Sequence, residues 1–424
     1  MFNTKIKWLT VSLINLAIVA FLGVILRSKI LFAIPGIDFK NMLHAHSHFA
    51  FGGWITLCLF VLMTYEILPG HLSSRAIYKW ILTAILTCAA GMLIAFPIQG
   101  YASFSIIFST LFIFSTYIFS WVFMKDLLKS NSPKPVVILC IVSLLALVVS
   151  SVGPFTLAYI VASHSTNTLL YKDAIYTYLH FQYNGFFTLA VFALLFNHFK
   201  HALNDAQYRN MKRFAVMLSL SVLPTLCLSY LWHFENIVIR SLAVAGCGLL
   251  VFTLALFVKM MRSMRRCFET VNSFARKTGL LSMIAFALKT AVQIGIVFPT
   301  IGNEVFGDRP IIIGYLHLVM LGFVTLYLLT HLQQINFFES NLRKAKTGII
   351  IFTIAVIANE LVLMIQGLAA MLMVGGAIYP WLLLGAAICL LTGALFIAMS
   401  VVRNLTDHGA DNNAFTAAKS KNYL

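Results

Sequence analysis

His48-Phe-Ala-Phe-Gly-Gly53 opens a long apolar run, and a similar motif returns twice, as His180-Phe-Gln-Tyr-Asn-Gly185 and His317-Leu-Val-Met-Leu-Gly322. Each motif has a glycine five residues after the histidine. The residue after each glycine is aromatic: Trp54, Phe186 and Phe323. Imidazoles buried at matching depths in a membrane are the ligands that haem and copper sites need. The motifs therefore predict three membrane helices that each carry a functional histidine.

The composition indicates a polytopic membrane protein. The chain has 424 residues, of which 60% are hydrophobic and only 10% are charged. We count twelve apolar stretches of the length that crosses a bilayer, about 20 residues each. They cover residues 8–26, 42–65, 78–98, 101–125, 135–161, 174–197, 213–232, 237–261, 279–300, 311–331, 347–372 and 378–402. The sequence predicts an all-α fold, with a single transmembrane domain over residues 1–424 that ends in a short cytoplasmic tail at 404–424.

The distribution of the net charge of +17 along the chain indicates which ends of the spans face the cytoplasm. One long loop between predicted spans is strongly basic: Lys259, Arg262, Arg265, Arg266, Arg276 and Lys277. Placing both termini in the cytoplasm puts most Lys and Arg residues on that side, which is the positive-inside distribution of an inner (plasma) membrane protein. The loop at 27–41 is the exception. The charge thus predicts contact with the lipid bilayer and no nucleic-acid partner.

The seven cysteines are scattered, and no Cys-x-x-Cys pair occurs. This pattern excludes a disulfide framework, a zinc ribbon and a covalently attached c-type haem.

Half of the histidines fall near the predicted outer ends of four helices. Helices 2, 6, 7 and 10 supply them: His44, His46, His48, His180, His233 and His317. Helices 2, 6 and 10 are spaced by four, which predicts three pseudo-repeated units of four helices. A histidine at a helix end is often structural, whereas a cluster from four helices favours haem or metal ligation, because both ring nitrogens need partners in lipid.

Helix periodicity divides the first histidine cluster. Residues i and i+4 share a helix face, whereas i+2 lies almost opposite. His44 and His48 therefore face one pocket and His46 faces another. The sequence leaves open which of the three is a ligand.

Two ionisable residues lie within predicted spans, Lys289 in helix 9 and Glu360 in helix 11. Charge inside a membrane is costly and is usually functional. Two interpretations stay open, a structural ion pair between them and a role in proton delivery.

The helix count and these histidines resemble subunit I of the haem-copper oxidase superfamily, and nitric oxide reductases in particular. Leu43-His44 with Phe49-Ala-Phe-Gly-Gly53 is similar to the family's helix 2 motif, and His317 with Gly322 to the second histidine of its helix 10 His-x-His. The resemblance implies a low-spin haem b held by His317 with His44 or His48. It also implies a second metal, copper or non-haem iron, near His180, His233 and His46.

The chain departs from that family at three positions. Tyr315 stands where the first helix 10 histidine belongs, Trp232 precedes His233 in place of a second histidine, and Asn184 replaces a glutamate of the reductases. The resemblance therefore implies one haem or two, depending on whether a binuclear centre is complete.

A second resemblance is to the NnrS family of haem- and copper-containing membrane proteins linked to nitric oxide stress. His44-Ala-His46-Ser47 is similar to the motif that opens their second helix, and residues 317–326 are similar to their His-x4-Gly motif followed by Thr-Leu.

Three functions follow as alternatives. The first is a haem-binding oxidoreductase that reduces nitric oxide or oxygen, or transfers electrons, with quinol or a cytochrome as electron donor. The second is a non-enzymatic haem sensor or assembly factor of the NnrS type. The third is a secondary transporter that uses Lys289 and Glu360, which predicts no haem and helices broken at mid-membrane.

Overall fold

The computed structural model describes residues 2–234, 236–302 and 309–402. It is 86% helical, and the described residues contain no strand, which confirms the all-α prediction. Twelve helices are long and apolar enough to cross a membrane, and we number them α1–α12 in chain order. Their bounds are Thr4–Leu31, Phe39–Ile67, Ala76–Gln99, Ser103–Leu127, Lys134–Ala162, Thr168–Phe199, Asp205–Tyr230, Ile237–Ser263, Ser273–Gly295, Pro310–Gln334, Glu339–Met371 and Ile378–Val401.

All twelve predicted spans are confirmed, and most are longer than their apolar cores. α6 begins six residues before the predicted start and includes Lys172 and Asp173, while α9 begins with Arg276 and Lys277 in its first turns. Hydropathy detects the stretch that lies in hydrocarbon, whereas the helix continues into the polar headgroup zone. The predicted cytoplasmic tail, 404–424, lies outside the described residues.

Three spans change from α-helix to π-helix directly after a motif histidine. The π-helical segments are Phe49–Thr56 in α2, Phe181–Phe187 in α6 and Leu318–Thr325 in α10. They follow His48, His180 and His317 and contain the motif glycines. π-Helix is rare and concentrates at functional sites. The recurrence of this backbone feature at three motifs sets α2, α6 and α10 apart from the other spans.

α2, α6 and α10 meet in the interior of the bundle. In their most apolar windows, 78% of the residues of α2 and 89% of those of α6 are buried, against 22% for the peripheral α4. Aromatic contacts join the three spans, with the Phe60 and Phe186 ring centroids 5.8 Å apart and those of Phe192 and Phe323 5.9 Å apart. The windows of α2 and α6 are the two most buried of the twelve, whereas that of α10 is 50% buried, so the candidate site lies beside the best-packed spans.

Six of the remaining spans pack as hairpins around this core: α3 with α4, α7 with α8, and α11 with α12. α5 packs against α6, α9 packs against α10, and α1 closes the bundle against α12. Each hairpin follows one of the π-helical spans. This order agrees with three units of four helices each. The repeat itself stays a prediction.

One motif glycine allows two helices to approach closely. A Cβ atom at Gly185 would lie 2.5 Å from the Ala146 Cβ on α5. This contact agrees with the simplest role of small residues in membrane helices, which is to let neighbouring helices approach.

α2, α6 and α10 begin at the same end of the bundle. We call it the outer end, and the opposite end the inner end, after the topology that the charges predict.

Candidate functional site

His46 of α2 and His317 of α10 lie within electrostatic range of each other. Arg27 of α1 lies within the same range of both. Each histidine is seven residues into its span, which places both about 10 Å along the helix from its outer end. Of the three histidines of the first cluster, His46 is therefore the one within electrostatic range of His317.

The hydrogen bonds of the two rings leave one nitrogen of each open to a ligand. His317 Nδ1 bonds the carbonyl of Ile313 at 2.8 Å, so Nδ1 carries the proton and Nε2 keeps its lone pair. The His46 ring interacts with the Val19 carbonyl, and its buried Nδ1 makes no hydrogen bond to any described residue. A backbone acceptor on the far nitrogen is the usual arrangement behind a ligating histidine.

Arg27 also links this pair of histidines to α11. Its guanidinium lies within electrostatic range of Glu360, whose carboxylate accepts a hydrogen bond from Asn359 Nδ2 at 3.1 Å. The ion pair between Lys289 and Glu360 that the sequence suggested is not formed. Lys289 instead donates to Asn184 Oδ1 at 2.8 Å, because α9 presents it to α6 and not to α11.

His44 and His48 face away from His46, as the helix periodicity predicted, and contact α3 and the loop that follows it. The His48 ring stacks on Phe96 with centroids 4.6 Å apart, and its Nε2 is 2.9 Å from the Tyr101 hydroxyl. The His44 ring meets the edge of Tyr101 at 4.6 Å. Burial raises the pKa of Tyr101 to about 12, so its hydroxyl stays protonated and can donate to His48.

His180 is fully buried and uses both ring nitrogens within the protein. Its Nε2 donates to the Val222 carbonyl at 2.8 Å, and its Nδ1 accepts from Asn184 Nδ2 at 3.2 Å. In this arrangement neither nitrogen is open to a metal. A ligand role for His180 stays a prediction that would require one of these bonds to break.

A cavity of about 60 Å³ lies beside His180. Asn184, Gln293 and Tyr315 are among the side chains that line it. Tyr315, which stands where the resembling family has a haem-ligating histidine, has a buried hydroxyl that makes no hydrogen bond to a described residue.

His233 lies just beyond the end of α7 and is not near His317. Its Nε2 is 3.0 Å from Asp173 Oδ2, next to a separate cavity of about 220 Å³ at the outer ends of α5 and α6. Within the described residues, no three His, Cys, Asp or Glu side chains converge as a metal site would require. The second metal near His180, His233 and His46 stays a prediction.

Sequence reasoning missed a second buried polar group at the inner end of α10. The His331 ring is 1% exposed, and neither nitrogen makes a hydrogen bond to a described residue. It stacks on Tyr327 and lies 5.7 Å from the His198 ring centroid, near the ion pair of Lys5 and Glu66. The spacing of Tyr327 and His331, four residues apart in an apolar span, was the signal that could have predicted one polar face.

No protein-family model and no curated protein matches this chain. The site is therefore interpreted from its own geometry.

Proposed function

We propose that this chain is a membrane haem protein in which His46 of α2 and His317 of α10 would hold a b-type haem. The observation that carries the proposal is the His317 ring, whose Nδ1 is fixed by the Ile313 carbonyl so that Nε2 keeps its lone pair, with His46 within electrostatic range. Bound between two imidazoles, such a haem supplies one-electron transfer.

The residues present fit this group. A buried imidazole nitrogen without a partner, such as His46 Nδ1, costs free energy that a ligand bond would offset. Arg27 supplies a cation next to both histidines, and a guanidinium binds the carboxylates of haem propionates well. Gly23 of α1 lies beside the His46 ring, where a Cβ would make an ordinary contact with Cε1 at 3.6 Å.

The location agrees with what the two resemblances imply, since the haem-copper oxidases hold their low-spin haem between helices 2 and 10. The proposal differs in one residue, because His46 takes the place that the motif comparison gave to His44 or His48. His44 and His48 instead form an aromatic cluster with Phe96 and Tyr101.

Electron transfer is the activity that we favour, because a haem held by two histidines would supply one-electron chemistry. The electron donor would be quinol or a cytochrome. Reduction of nitric oxide or oxygen is the second candidate, and the cavity beside His180 and Tyr315 favours it, since about 60 Å³ accommodates a diatomic gas. A non-enzymatic haem sensor or assembly factor would use the same haem without turnover.

The test is a reduced-minus-oxidised optical spectrum of the full chain, expressed with ample haem and purified, with haem counted as the pyridine haemochrome. We expect one low-spin b-type haem per chain, lost in His317→Ala. His331→Ala is the matched control, because it removes a buried histidine from the inner end of the same span and should leave the spectrum unchanged. Two haems would indicate a catalytic centre as well. No haem in the wild type would overturn the proposal and favour the transporter.

A further inference from the structure

A cavity of about 220 Å³ lies between α5, α6 and the end of α7, at the outer end of the bundle. Its walls are mostly apolar, and Asp173 of α6 is the one charged residue among the described residues that line it. Val152 and Phe234, which also line it, are exposed, so the cavity opens at the surface of the bundle. Since a water molecule takes up about 30 Å³, the cavity has room for a small organic molecule.

The Asp173 carboxylate keeps acceptor capacity for a ligand. Its Oδ2 is 3.0 Å from His233 Nε2, whereas its Oδ1 makes no hydrogen bond to any described residue. His233 is the only salt-bridge partner of Asp173 within the described residues, and a neutral imidazole donates to a carboxylate without neutralising it. A largely buried carboxylate without a full countercharge is costly, and a cation bound in the cavity would offset that cost.

The Tyr230 hydroxyl, on the same cavity, is left with lone pairs only. Thr177 Oγ1 donates its single proton to the Asp173 carbonyl at 2.6 Å. The bond of 2.6 Å between Thr177 Oγ1 and the Tyr230 hydroxyl must therefore be donated by Tyr230. With its proton used in this way, the Tyr230 oxygen can only accept a hydrogen bond, as the Asp173 carboxylate can. Both groups therefore require a donor on the ligand.

The aromatic rings of the cavity also favour a positively charged ligand. Tyr230 and Phe234 line it together with Asp173. A cation near the face of an aromatic ring is attracted by the quadrupole of the ring. None of the described residues that line the cavity is a lysine, an arginine or a histidine, so no basic side chain on its walls opposes a cation.

We propose that this cavity binds a primary ammonium group, which donates hydrogen bonds to the Asp173 carboxylate and to the Tyr230 oxygen. A primary ammonium has three N–H donors, whereas a quaternary ammonium carries the same charge and has none, so the two acceptors select the primary group. The group can belong to a free amine or to the ethanolamine head group of a lipid, because the cavity opens at the outer end of the bundle. The site does not depend on the proposed haem, because His46 and His317 are not among its residues.

The test is the thermal unfolding of the full chain in detergent at neutral pH, titrated with ethanolamine hydrochloride and, separately, with choline chloride at equal ionic strength. Both ligands are cations of one scaffold, and only ethanolamine has N–H donors. A ligand that binds only the native state raises the unfolding temperature as its concentration increases. We expect ethanolamine to raise it beyond the choline response. Asp173→Asn should abolish the difference, and Tyr230→Phe should weaken ethanolamine binding by about tenfold, the scale of one hydrogen bond to a charge.

Asp38→Asn is the matched control for Asp173→Asn. Asp38 is another carboxylate at the outer end of the bundle, where it caps α2 by accepting from the Asn41 N–H at 2.8 Å. Asparagine caps helices as well as aspartate does, so this variant should fold and keep the wild-type response. Each variant is compared with its own ligand-free unfolding temperature, so that a general loss of stability does not mimic a loss of binding.

Reconstitution distinguishes the two sources of the ammonium group. If a lipid head group occupies the site, the wild type should unfold at a higher temperature in vesicles that contain phosphatidylethanolamine than in vesicles of phosphatidylcholine alone, and Asp173→Asn should not. A response to free ethanolamine without this lipid effect assigns the site to a free amine. Equal responses to ethanolamine and choline together with no lipid effect, or effects that survive Asp173→Asn, would overturn the proposal.

Discussion

Trp54 of α2 donates its indole N–H to the Thr325 hydroxyl of α10 at 3.1 Å, and both residues are fully buried. The bond joins two π-helical segments, the one that follows His48 and the one that follows His317. It therefore fixes the relative position of the two spans that carry His46 and His317. A haem ligated from both spans needs this relative position to hold within a few tenths of an ångström.

Removing the acceptor of this bond should destabilise the protein and loosen the haem. Thr325→Val keeps the shape of the side chain but leaves the Trp54 N–H buried without a partner, at a cost of about 1–3 kcal/mol. We expect a lower unfolding temperature and a lower haem content per chain. Thermal unfolding and the haemochrome count measure the two effects.

Thr330→Val is the matched control for Thr325→Val. Thr330 is buried one turn further along α10 and bonds Thr278 of α9 at 2.9 Å, so the substitution also costs stability but leaves the contact between α2 and α10 intact. It should lower the unfolding temperature without lowering haem content. Equal haem loss in both variants would contradict a specific role for the Trp54–Thr325 bond.

The three histidines at the start of α2 should differ in their effect on the haem spectrum. His46→Ala should abolish the b-type signal, because His46 is the histidine of this cluster within electrostatic range of His317 and has a buried Nδ1 without a hydrogen bond to a described residue. His44→Ala and His48→Ala should retain it, because those rings contact Phe96 and Tyr101. Optical spectra of the three purified variants decide the question. Loss of the signal in His48→Ala with retention in His46→Ala would restore the assignment drawn from the motif resemblance.

Arg27 and Glu360 should shift the haem reduction potential in opposite directions. A nearby cation favours the reduced iron, which carries one positive charge fewer, so Arg27→Gln should lower the midpoint potential and Arg27→Lys should largely retain it. At a pH at which Glu360 is ionised, Glu360→Gln removes a negative charge and should raise the potential. A shift on the order of 60 mV corresponds to a tenfold change in a one-electron equilibrium. Spectroelectrochemical titration measures the values, and shifts of the same sign would place the haem elsewhere.

The number and positions of the spans could be predicted from the sequence, because burial in lipid imposes long apolar stretches and a charge bias that any twelve-helix protein must show. The sequence also predicts that His46 lies on the opposite face of α2 from His44 and His48. That arrangement follows from the helical repeat alone.

Three features of the site could not be predicted from the sequence. The interaction of His46 with His317 depends on how α2 and α10 are rotated against each other, and no local pattern encodes that rotation. The π-helical segments after His48, His180 and His317 depend on packing that accommodates one extra residue per turn. Lys289 was recognised as unusual, but its partner on α6 depends on tertiary packing, and the sequence suggested Glu360 instead.

Two of the motif glycines should respond differently to the same substitution. A Cβ at Gly185 would lie 2.5 Å from Ala146 Cβ, which cannot move without shifting α5. A Cβ at Gly322 would lie 3.3 Å from Ala285 Cβ, which a small adjustment relieves. We expect Gly185→Ala to cost about 1–3 kcal/mol by overpacking, whereas in Gly322→Ala the better helix propensity of alanine, about 0.5–1 kcal/mol, offsets the contact.

Unfolding temperatures of the two glycine variants, measured side by side, test this contrast. If Gly185→Ala is as stable as the wild type, α5 and α6 are not as closely packed as the structure shows. A large loss in Gly322→Ala alone would instead indicate that this glycine makes room for a bound group.

Arg75 should be required for stability because it neutralises a carboxylate at the inner end of α4. Asp126 is fully buried and accepts from Arg75 Nη1 at 2.5 and 2.6 Å and from the Tyr78 hydroxyl at 2.9 Å. Arg75→Met leaves this carboxylate without a countercharge, at a cost of about 3 kcal/mol. The exposed pair of Arg265 and Glu269 is the control, and Arg265→Met should change stability by less than about 0.5 kcal/mol.

A double substitution separates the charge of Arg75 from its packing. If the cost of Arg75→Met comes from the unpaired charge, Asp126→Asn in the same chain should recover most of it, because the amide is neutral and keeps an oxygen for the Tyr78 hydroxyl. The unfolding temperatures of the two single variants and the double variant give the interaction energy between Arg75 and Asp126. Additive losses would show instead that Arg75 acts mainly by covering the ends of α3 and α4 with its side chain, and that the ion pair contributes little.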